Sequence, residues 1–139
     1  MIAYIDSSVL LRVVLGEPDR LREWRRIERP VSSELIRLEC LRTIDRARLR
    51  LRLSDDAVAR HREAVLEYLD TFELVRVDEV VLSRAAEPFP TLLGSLDAVH
   101  LATALLARVR YEELVVATHD RELGDAARAM GIRVLGSRR

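Results

Sequence analysis

Lysine is absent from this sequence of 139 residues, and all 23 of its basic side chains are arginines. Without lysine the chain cannot form a Schiff base with a carbonyl substrate or carry the phosphate-binding lysine of a P-loop. Cysteine occurs once, at Cys40, which excludes an intrachain disulfide and a cysteine-rich zinc site. This cysteine usage is typical of a reducing compartment.

Long apolar runs and a net charge are also lacking. No apolar stretch approaches the roughly 20 residues that span a bilayer. Asp6 lies near the start with no basic residue before it, so the N-terminus is a poor signal peptide. The 23 basic and 23 acidic residues balance, so any polyanion must be bound by local groups of arginines. We expect a soluble cytoplasmic protein with no membrane partner.

Short apolar segments alternate with helix-forming segments along the whole chain. Extended segments are predicted at residues 2–5, 30–32, 72–77, 114–117 and 132–135. Helices are predicted at residues 9–15, 19–27, 34–52, 54–70, 79–86, 95–108 and 120–130. This alternation is typical of a parallel sheet covered by helices on both faces. We expect the α/β class, with a single three-layer α/β/α domain over residues 1–139 and a mostly parallel central sheet.

Helix starts and helix faces can also be predicted locally. Ser7 and Ser8 are expected to cap the first helix, and Ser95 the helix at 95–108, because hydroxyl oxygens accept the unpaired N–H groups of a first turn. In the helix at 34–52, the spacing of apolar residues predicts a buried face made of Leu35, Leu38, Ile44 and Leu49.

Four acidic residues follow strands or begin helices. Asp6 comes directly after the first predicted strand, and Asp120 lies just past the segment at 114–117. Asp97 is in the first turn of the helix at 95–108, and Glu39 is about one turn into the helix at 34–52. Ligands of an open parallel sheet bind outside the carboxyl ends of its strands. We therefore expect these acids to converge at that edge.

Converging carboxylates repel each other at low dielectric unless a cation lies between them. Oxygen ligands suit Mg²⁺ or Mn²⁺, and such an ion can activate water and stabilise charge on a phosphoryl group. The pattern thus indicates a divalent metal site. Each acid taken alone could instead cap a helix or lie on a solvated face. A catalytically silent binding module therefore stays an alternative.

Four segments resemble the PIN domain family, and the similarity is greatest to the VapC-like toxins of bacterial toxin–antitoxin pairs. The segments are YIDSSVLLR at 4–12, SSELIRLECLRT around Glu39, LDAVHLATA at 96–104 and VVATHD at 115–120. The resemblance covers nearly the whole chain and implies a PIN-like fold. It also implies a metal-dependent endoribonuclease with a homodimeric assembly, an RNA substrate and a small inhibitory antitoxin protein.

The resemblance further implies which residues form the site. The acidic quartet that holds Mg²⁺ or Mn²⁺ would consist of Asp6, Glu39, Asp97 and Asp120. Thr118 is, by similarity, the hydroxyl that accompanies the last acid. Ser7 and Ser8, which follow Asp6, are expected to cap their helix or to donate a hydrogen bond near the site. A non-toxin PIN-domain nuclease is the second interpretation of the same residues.

Several other polar residues have a structural and a functional interpretation. His100 lies three residues after Asp97 on one helix face, so the two could bind a transition metal, but we expect His100 to pack or hydrogen-bond inside the domain. His119 is expected at the rim of the site, and Cys40 is expected to be a buried structural thiol.

The arginine-rich run at 46–52 is a candidate contact for RNA or for the antitoxin. Arg46 and Arg50 share one helical face because they are four residues apart. A plain solvated face is the alternative interpretation of the same pattern.

Two phosphoryl-transfer classes with a similar sheet are excluded. A haloacid-type phosphatase needs a second aspartate two residues after the first, and that position is Ser8. A receiver domain needs a lysine near its last strands, and the chain has no lysine.

Overall fold

The central sheet contains five strands, at Ile2–Ile5 (β1), Arg29–Ser33 (β2), Glu73–Val75 (β3), Val115–Thr118 (β4) and Val134–Gly136 (β5). They are seen in a computed structural model that describes residues 1–138. The strand order is β3-β2-β1-β4-β5, and every neighbouring pair is parallel. The expected α/β class is confirmed, and the sheet of the described residues is entirely parallel.

Six α-helices are found in residues 1–138, and they cover both faces of the sheet. They are α1 (Ser7–Val14), α2 (Leu35–Arg50), α3 (Asp55–Asp70), α4 (Glu79–Ala85), α5 (Ser95–Arg110) and α6 (Arg121–Ala129). None of them is long and apolar enough to cross a membrane.

The strands divide their side chains between two cores, because successive residues of a strand point to opposite faces. On one face, Ala3 and Ile5 of β1 pack with residues of α1, α2 and α3. On the other face, Tyr4 of β1 packs with Leu101 of α5 and Leu123 of α6. The result is the predicted three-layer α/β/α architecture.

The predicted helix at 19–27 is wrong. The segment forms turns and a short 3-10 helix at Trp24–Arg26. Leu21 is buried and Trp24 and Ile27 are half-buried, and their spacing of three fits the three residues per turn of a 3-10 helix. Because few apolar residues face the core here, packing does not stabilise a longer α-helix.

The predicted apolar face of α2 is also wrong in part. Leu38 and Leu49 are 59% and 84% exposed. The buried residues are Ile36, Cys40, Ile44 and Ala47, which follow the spacing of three and four that a core-facing helix requires. Of the predicted set only Ile44 is fully buried, while Leu35 is half-buried.

Two predicted helix caps are replaced by neighbouring residues. Asp6 is the N-cap of α1, so Ser7 and Ser8 lie inside the helix, and Asp6 makes no side-chain cap hydrogen bond. Gly94 is the N-cap of α5, which makes Ser95 its first helical residue. Both helices therefore start without a side-chain oxygen bound to their first turn.

The strand order creates one special position. The connections after β1 lead to β2 and β3 on one side, whereas β4 and β5 lie on the other side of β1. The carboxyl ends of β1 and β4 thus meet at the topological switch point, where open α/β sheets bind their ligands.

Candidate active site

Asp6 and Thr118 lie side by side at the switch point. Ile5 of β1 pairs with Ala117 of β4, and the Asp6 N–H donates to the Ala117 carbonyl at 3.0 Å. The Thr118 hydroxyl then donates to Asp6 Oδ2 at 2.8 Å. Asp6 is only 5% exposed, so this carboxylate is held in a fixed orientation inside the protein.

Thr118 connects two of the predicted acids. Its Oγ1 accepts the Asp120 N–H at 3.0 Å while it donates to Asp6. The sequence-based placement of Thr118 beside the last acid therefore agrees with the contacts. Asp120 is the N-cap of α6, and its Oδ1 accepts the N–H groups of Glu122 at 2.8 Å and Leu123 at 3.3 Å.

The serine that contacts the site is Ser8. Its hydroxyl donates to Asp6 Oδ2 at 2.6 Å and accepts the His119 N–H at 3.0 Å. Ser7 is half-buried as the first residue of α1, and no side-chain hydrogen bond of Ser7 is found within residues 1–138. Of the two serines expected to donate near the site, Ser8 makes the contact, because the first turn of α1 rotates residue 8 towards β4.

Asp97 lies close enough to the other acids for their charges to interact. Partial burial and the carboxylates of Asp120 and Asp6 raise its pKa to about 6. Glu122 adds to this effect and His100 opposes it. The first-turn position of Asp97 in α5 was predicted from sequence and is confirmed. Burial and like charges act in the same direction here, because both disfavour the ionised carboxylate.

Glu39 reaches the site through a hydrogen bond with His100. The His100 Nε2–H donates to Glu39 Oε1 at 2.5 Å, and the His100 ring is fully buried. Burial alone lowers the pKa of His100, but the hydrogen bond and the charge of Glu39 outweigh it and raise that pKa. The expectation that His100 hydrogen-bonds inside the domain is thus confirmed.

Tyr4 completes this buried contact, and sequence reasoning missed it. Its hydroxyl hydrogen-bonds with His100 Nδ1 at 2.6 Å and accepts the Ser33 N–H at 3.2 Å. Desolvation, followed by the charge of Asp6, raises the pKa of Tyr4, so the phenol stays neutral. The available signal was a tyrosine within an otherwise aliphatic strand, because a buried hydroxyl needs a partner.

The donor set suits a hard divalent cation, since it consists of carboxylates whose mutual repulsion a cation would relieve. As arranged, however, no three His, Cys, Asp or Glu side chains of residues 1–138 form a metal-binding group. One oxygen each of Asp6, Glu39 and Asp120 is already engaged in a hydrogen bond. Asp97 is the acid whose pKa is raised, first by burial and then by the charges of Asp120 and Asp6.

The remaining candidates are a thiol, a histidine and two arginines outside the acidic quartet. Burial raises the pKa of the Cys40 thiol, which agrees with a structural role. Burial, followed by the charge of Arg12, lowers the pKa of His119. Arg46 and Arg50 are exposed near the end of α2. Since Arg46 is seven residues from Glu39, it lies about 10 Å farther along the helix axis.

The fold is thus an open parallel α/β sheet with acidic residues at its switch point, and sequence comparison identifies the family. The profile of the PIN domain matches residues 3–129. The chain therefore belongs to the PIN domain family, as the sequence resemblance implied.

Individual relatives agree with this assignment. The chain is 38% identical to "Ribonuclease VapC46" of Mycobacterium tuberculosis over 135 residues, which is 95% of each protein. It is 34% identical to "Ribonuclease VapC35" of the same species, over 95% of this chain and 94% of that protein. The resemblance to VapC-like proteins is thereby confirmed.

Solved structures show the same fold at low sequence identity. VapBC2 from Rickettsia felis, bound to a DNA fragment from its promoter, superimposes with a TM-score of 0.66 at 12% identity and covers 96% of this chain and 97% of its own. A toxin–antitoxin complex from Klebsiella pneumoniae gives a TM-score of 0.63 at 16% identity, over 91% of this chain and 93% of its own.

Proposed function

We propose that this protein is a metal-dependent endoribonuclease toxin that cleaves RNA phosphodiester bonds and is inhibited by a cognate antitoxin. The observation that carries the proposal is the hydrogen-bonded link of Asp6 and Asp120 through Thr118 at the carboxyl ends of β1 and β4, and the raised pKa of Asp97, caused by burial and by the charges of Asp120 and Asp6, agrees with it. A site that keeps carboxylates near one another is suited to bind a cation, because the cation relieves their mutual repulsion. The names of the VapC relatives support ribonuclease activity.

Asp6, Glu39, Asp97 and Asp120 would hold Mg²⁺ or Mn²⁺. A bound ion of this kind supplies activation of water and neutralisation of charge on a phosphoryl group. The chain itself orients the ligands: Thr118 and Ser8 fix Asp6, while His100 fixes Glu39. Such supporting hydrogen bonds set ligand orientation in metal sites.

Cleavage of a labelled RNA in Mn²⁺, Mg²⁺ and EDTA tests the proposal. We expect Asp97→Asn to abolish metal-dependent cleavage and leave the fold intact, whereas Glu112→Gln, at an exposed position, leaves cleavage unchanged. Activity of Asp97→Asn within a few-fold of wild type, at equal folded fraction, would contradict the assignment. Equal cleavage in EDTA and Mn²⁺ would contradict metal dependence.

Metal binding can be measured without activity. A ligand that binds only the folded state stabilises it by roughly 2.7 kcal/mol at a hundred times its Kd. We expect millimolar Mn²⁺ to raise the Tm of the wild type and of Glu112→Gln, and to leave the Tm of Asp6→Asn nearly unchanged. A wild-type Tm that is the same in Mn²⁺ and EDTA would instead support the silent binding module.

The partners of the proposal are a small antitoxin protein and a second copy of the chain in a cytoplasmic homodimer. The solved toxin–antitoxin complex with this fold supports the first partner. Exposed Arg46 and Arg50 are the proposed contact for RNA or antitoxin. Reversing both to Glu is expected to weaken one of these interactions and to preserve the Mn²⁺-dependent rise in Tm.

A further inference from the structure

An arginine-lined cavity of about 560 Å³ has His119 in its lining, and none of the four acids lines it. It lies between α1, the segment that follows α1, and the C-terminal residues. His119 forms part of its wall and stands in the chain between Thr118 and Asp120, so the cavity and the acids share this segment. The lining arginines are Arg12, Arg20, Arg22 and Arg138.

We propose that this cavity, the arginine pocket, is a phosphate-binding subsite that holds one backbone phosphate of RNA beside the phosphate at the acids. The inference rests on the proposed function and adds to it a part of the substrate-binding surface. It concerns residues that lie outside the acidic quartet.

The segment after α1 presents two of the arginines. Leu21 is 4% exposed and anchors this segment in the core. Arg20 and Arg22, on either side of it, are exposed and line the pocket. Neither forms an ion pair within residues 1–138, so both guanidinium groups are available to a ligand.

Arg12 has a different role in the pocket. It pairs with Asp19 at 2.6 Å and with Glu17 at 3.8 Å, and these contacts tie the segment to α1. Its charge is therefore largely compensated in the free protein. Arg20, Arg22 and Arg138 outnumber the remaining acid of the lining, Glu23, so the pocket carries a local positive excess in a chain whose formal net charge is zero.

Gly136 shapes the wall of the pocket next to His119. Its φ is +92°, and a Cβ at this position would lie 2.6 Å from the Thr118 carbonyl oxygen and 3.2 Å from His119 Nδ1. The missing side chain lets the His119 ring lie against the backbone of β5. His119 Nε2 is buried and has no hydrogen-bond partner within the described residues 1–138.

Phosphate is the chemistry that this lining favours. Guanidinium groups match the geometry of phosphate oxygens with paired N–H donors. The cavity volume lies within the range of ligand sites. RNA carries a phosphate at every nucleotide, so a strand whose scissile phosphate lies at the acids continues into the neighbouring space. An acidic protein segment is the competing occupant and is distinguished by the test.

Binding of a fluorescently labelled single-stranded RNA in EDTA, followed by anisotropy over a range of salt concentrations, tests the pocket without cleavage. We expect Arg20→Ala/Arg22→Ala to weaken binding about tenfold at low salt. The plot of log association constant against log salt concentration has a negative slope. The magnitude of this slope should decrease by about 0.7 for each RNA phosphate that the variant no longer neutralises. Arg25→Ala/Arg26→Ala removes two exposed charges of the same segment outside the pocket and serves as the control.

Each of the following results would overturn the inference: wild-type RNA affinity in Arg20→Ala/Arg22→Ala, an equal drop in affinity in the control pair, or no RNA binding by the wild type. Binding of a poly-glutamate peptide that depends on Arg20 and Arg22 and is not displaced by RNA would also overturn it.

The experiments distinguish a failure of the nuclease proposal from a failure of the pocket proposal. RNA binding that needs Arg20 and Arg22, without metal-dependent cleavage, supports the pocket and contradicts the nuclease. Metal-dependent cleavage with unchanged kcat/KM in Arg20→Ala/Arg22→Ala contradicts the pocket alone. The Mn²⁺-dependent rise in Tm should be equal in wild type and in this variant, which shows that its acidic centre is intact.

Discussion

Thr118 and Asp6 are 112 residues apart in sequence and are joined by a hydrogen bond of 2.8 Å between the ends of adjacent strands. Asp6 is nearly fully buried, and Thr118 is completely so. This bond links the side chain that ends β4 to the carboxylate that ends β1. It also lets Thr118 support Asp120, whose N–H it accepts.

Thr118→Val should destabilise the fold by about 1–3 kcal/mol, because it leaves a buried carboxylate oxygen with one donor fewer at unchanged side-chain shape. The Mn²⁺-dependent rise in Tm should also be smaller, since Asp6 is less well oriented. Thr103→Val is the matched control: its hydroxyl is buried and donates to the Val99 carbonyl within α5. Thermal melts in EDTA and Mn²⁺ measure both effects. An unchanged Mn²⁺ response of Thr118→Val would contradict the orienting role.

Asp97 should give the apo protein a characteristic pH dependence. Its pKa is raised from 3.8 to about 6 in the folded state, so between these pH values the native protein binds more protons than the unfolded chain. Stability in EDTA should therefore fall as pH rises through this window. Asp97→Asn removes the unfavourable ionisation of Asp97 in the folded state. The variant should therefore be more stable than wild type at pH 7, and the difference in stability should shrink towards pH 4.

Urea unfolding at several pH values in EDTA measures this difference. The control is Glu112→Gln, whose stability should follow the wild type over the same range. If Asp97→Asn is less stable than wild type at pH 7, Asp97 serves mainly to stabilise the N-terminus of α5.

His100 and Glu39 should be energetically coupled. His100→Phe removes one hydrogen-bond partner from buried Tyr4 and one from half-buried Glu39, and the loss of a partner costs about 1–3 kcal/mol where the group stays buried and unsatisfied. A double-mutant cycle of His100→Phe with Glu39→Leu should give a coupling energy above about 0.5 kcal/mol. The same His100 change combined with Glu112→Gln should be additive. If the effects of His100→Phe and Glu39→Leu on the free energy of unfolding are additive, the 2.5 Å contact between the two side chains does not contribute to stability.

Gly136 should tolerate no side chain. Gly136→Ala combines a left-handed backbone at φ +92° with a Cβ 2.6 Å from the Thr118 carbonyl oxygen. Gly16→Ala provides the control, because φ is +66° there and no atom lies within 4 Å of the new Cβ. The strain alone costs roughly 1–2 kcal/mol. Denaturant unfolding should therefore show a larger loss of stability for Gly136→Ala, and equal losses would contradict the close packing of β5 against β4.

The alternation of strands and helices and the placement of Asp6, Asp97 and Asp120 could be predicted from the sequence. Both depend on short-range signals: runs of apolar residues, the acid that ends a strand, and the first turn of a helix. Parallel topology then brings strand ends to one edge, whatever the details of packing. The helix predicted at 19–27 was wrong because it, too, was inferred from a short-range signal. The local spacing of three does not show how little of that segment faces the core.

Contacts between distant segments were decided by the tertiary structure alone. Tyr4 meets His100 across 96 residues, and His100 meets Glu39 across 61. Ser8 rather than Ser7 reaches Asp6 because the turn of α1 against β4 selects it. Arg20, Arg22 and Arg138 come together only when the segment after α1 folds beside the C-terminal residues. Sequence patterns repeat over a few residues and carry the periods of helix and strand, whereas these contacts depend on how the packed layers bring separate side chains together.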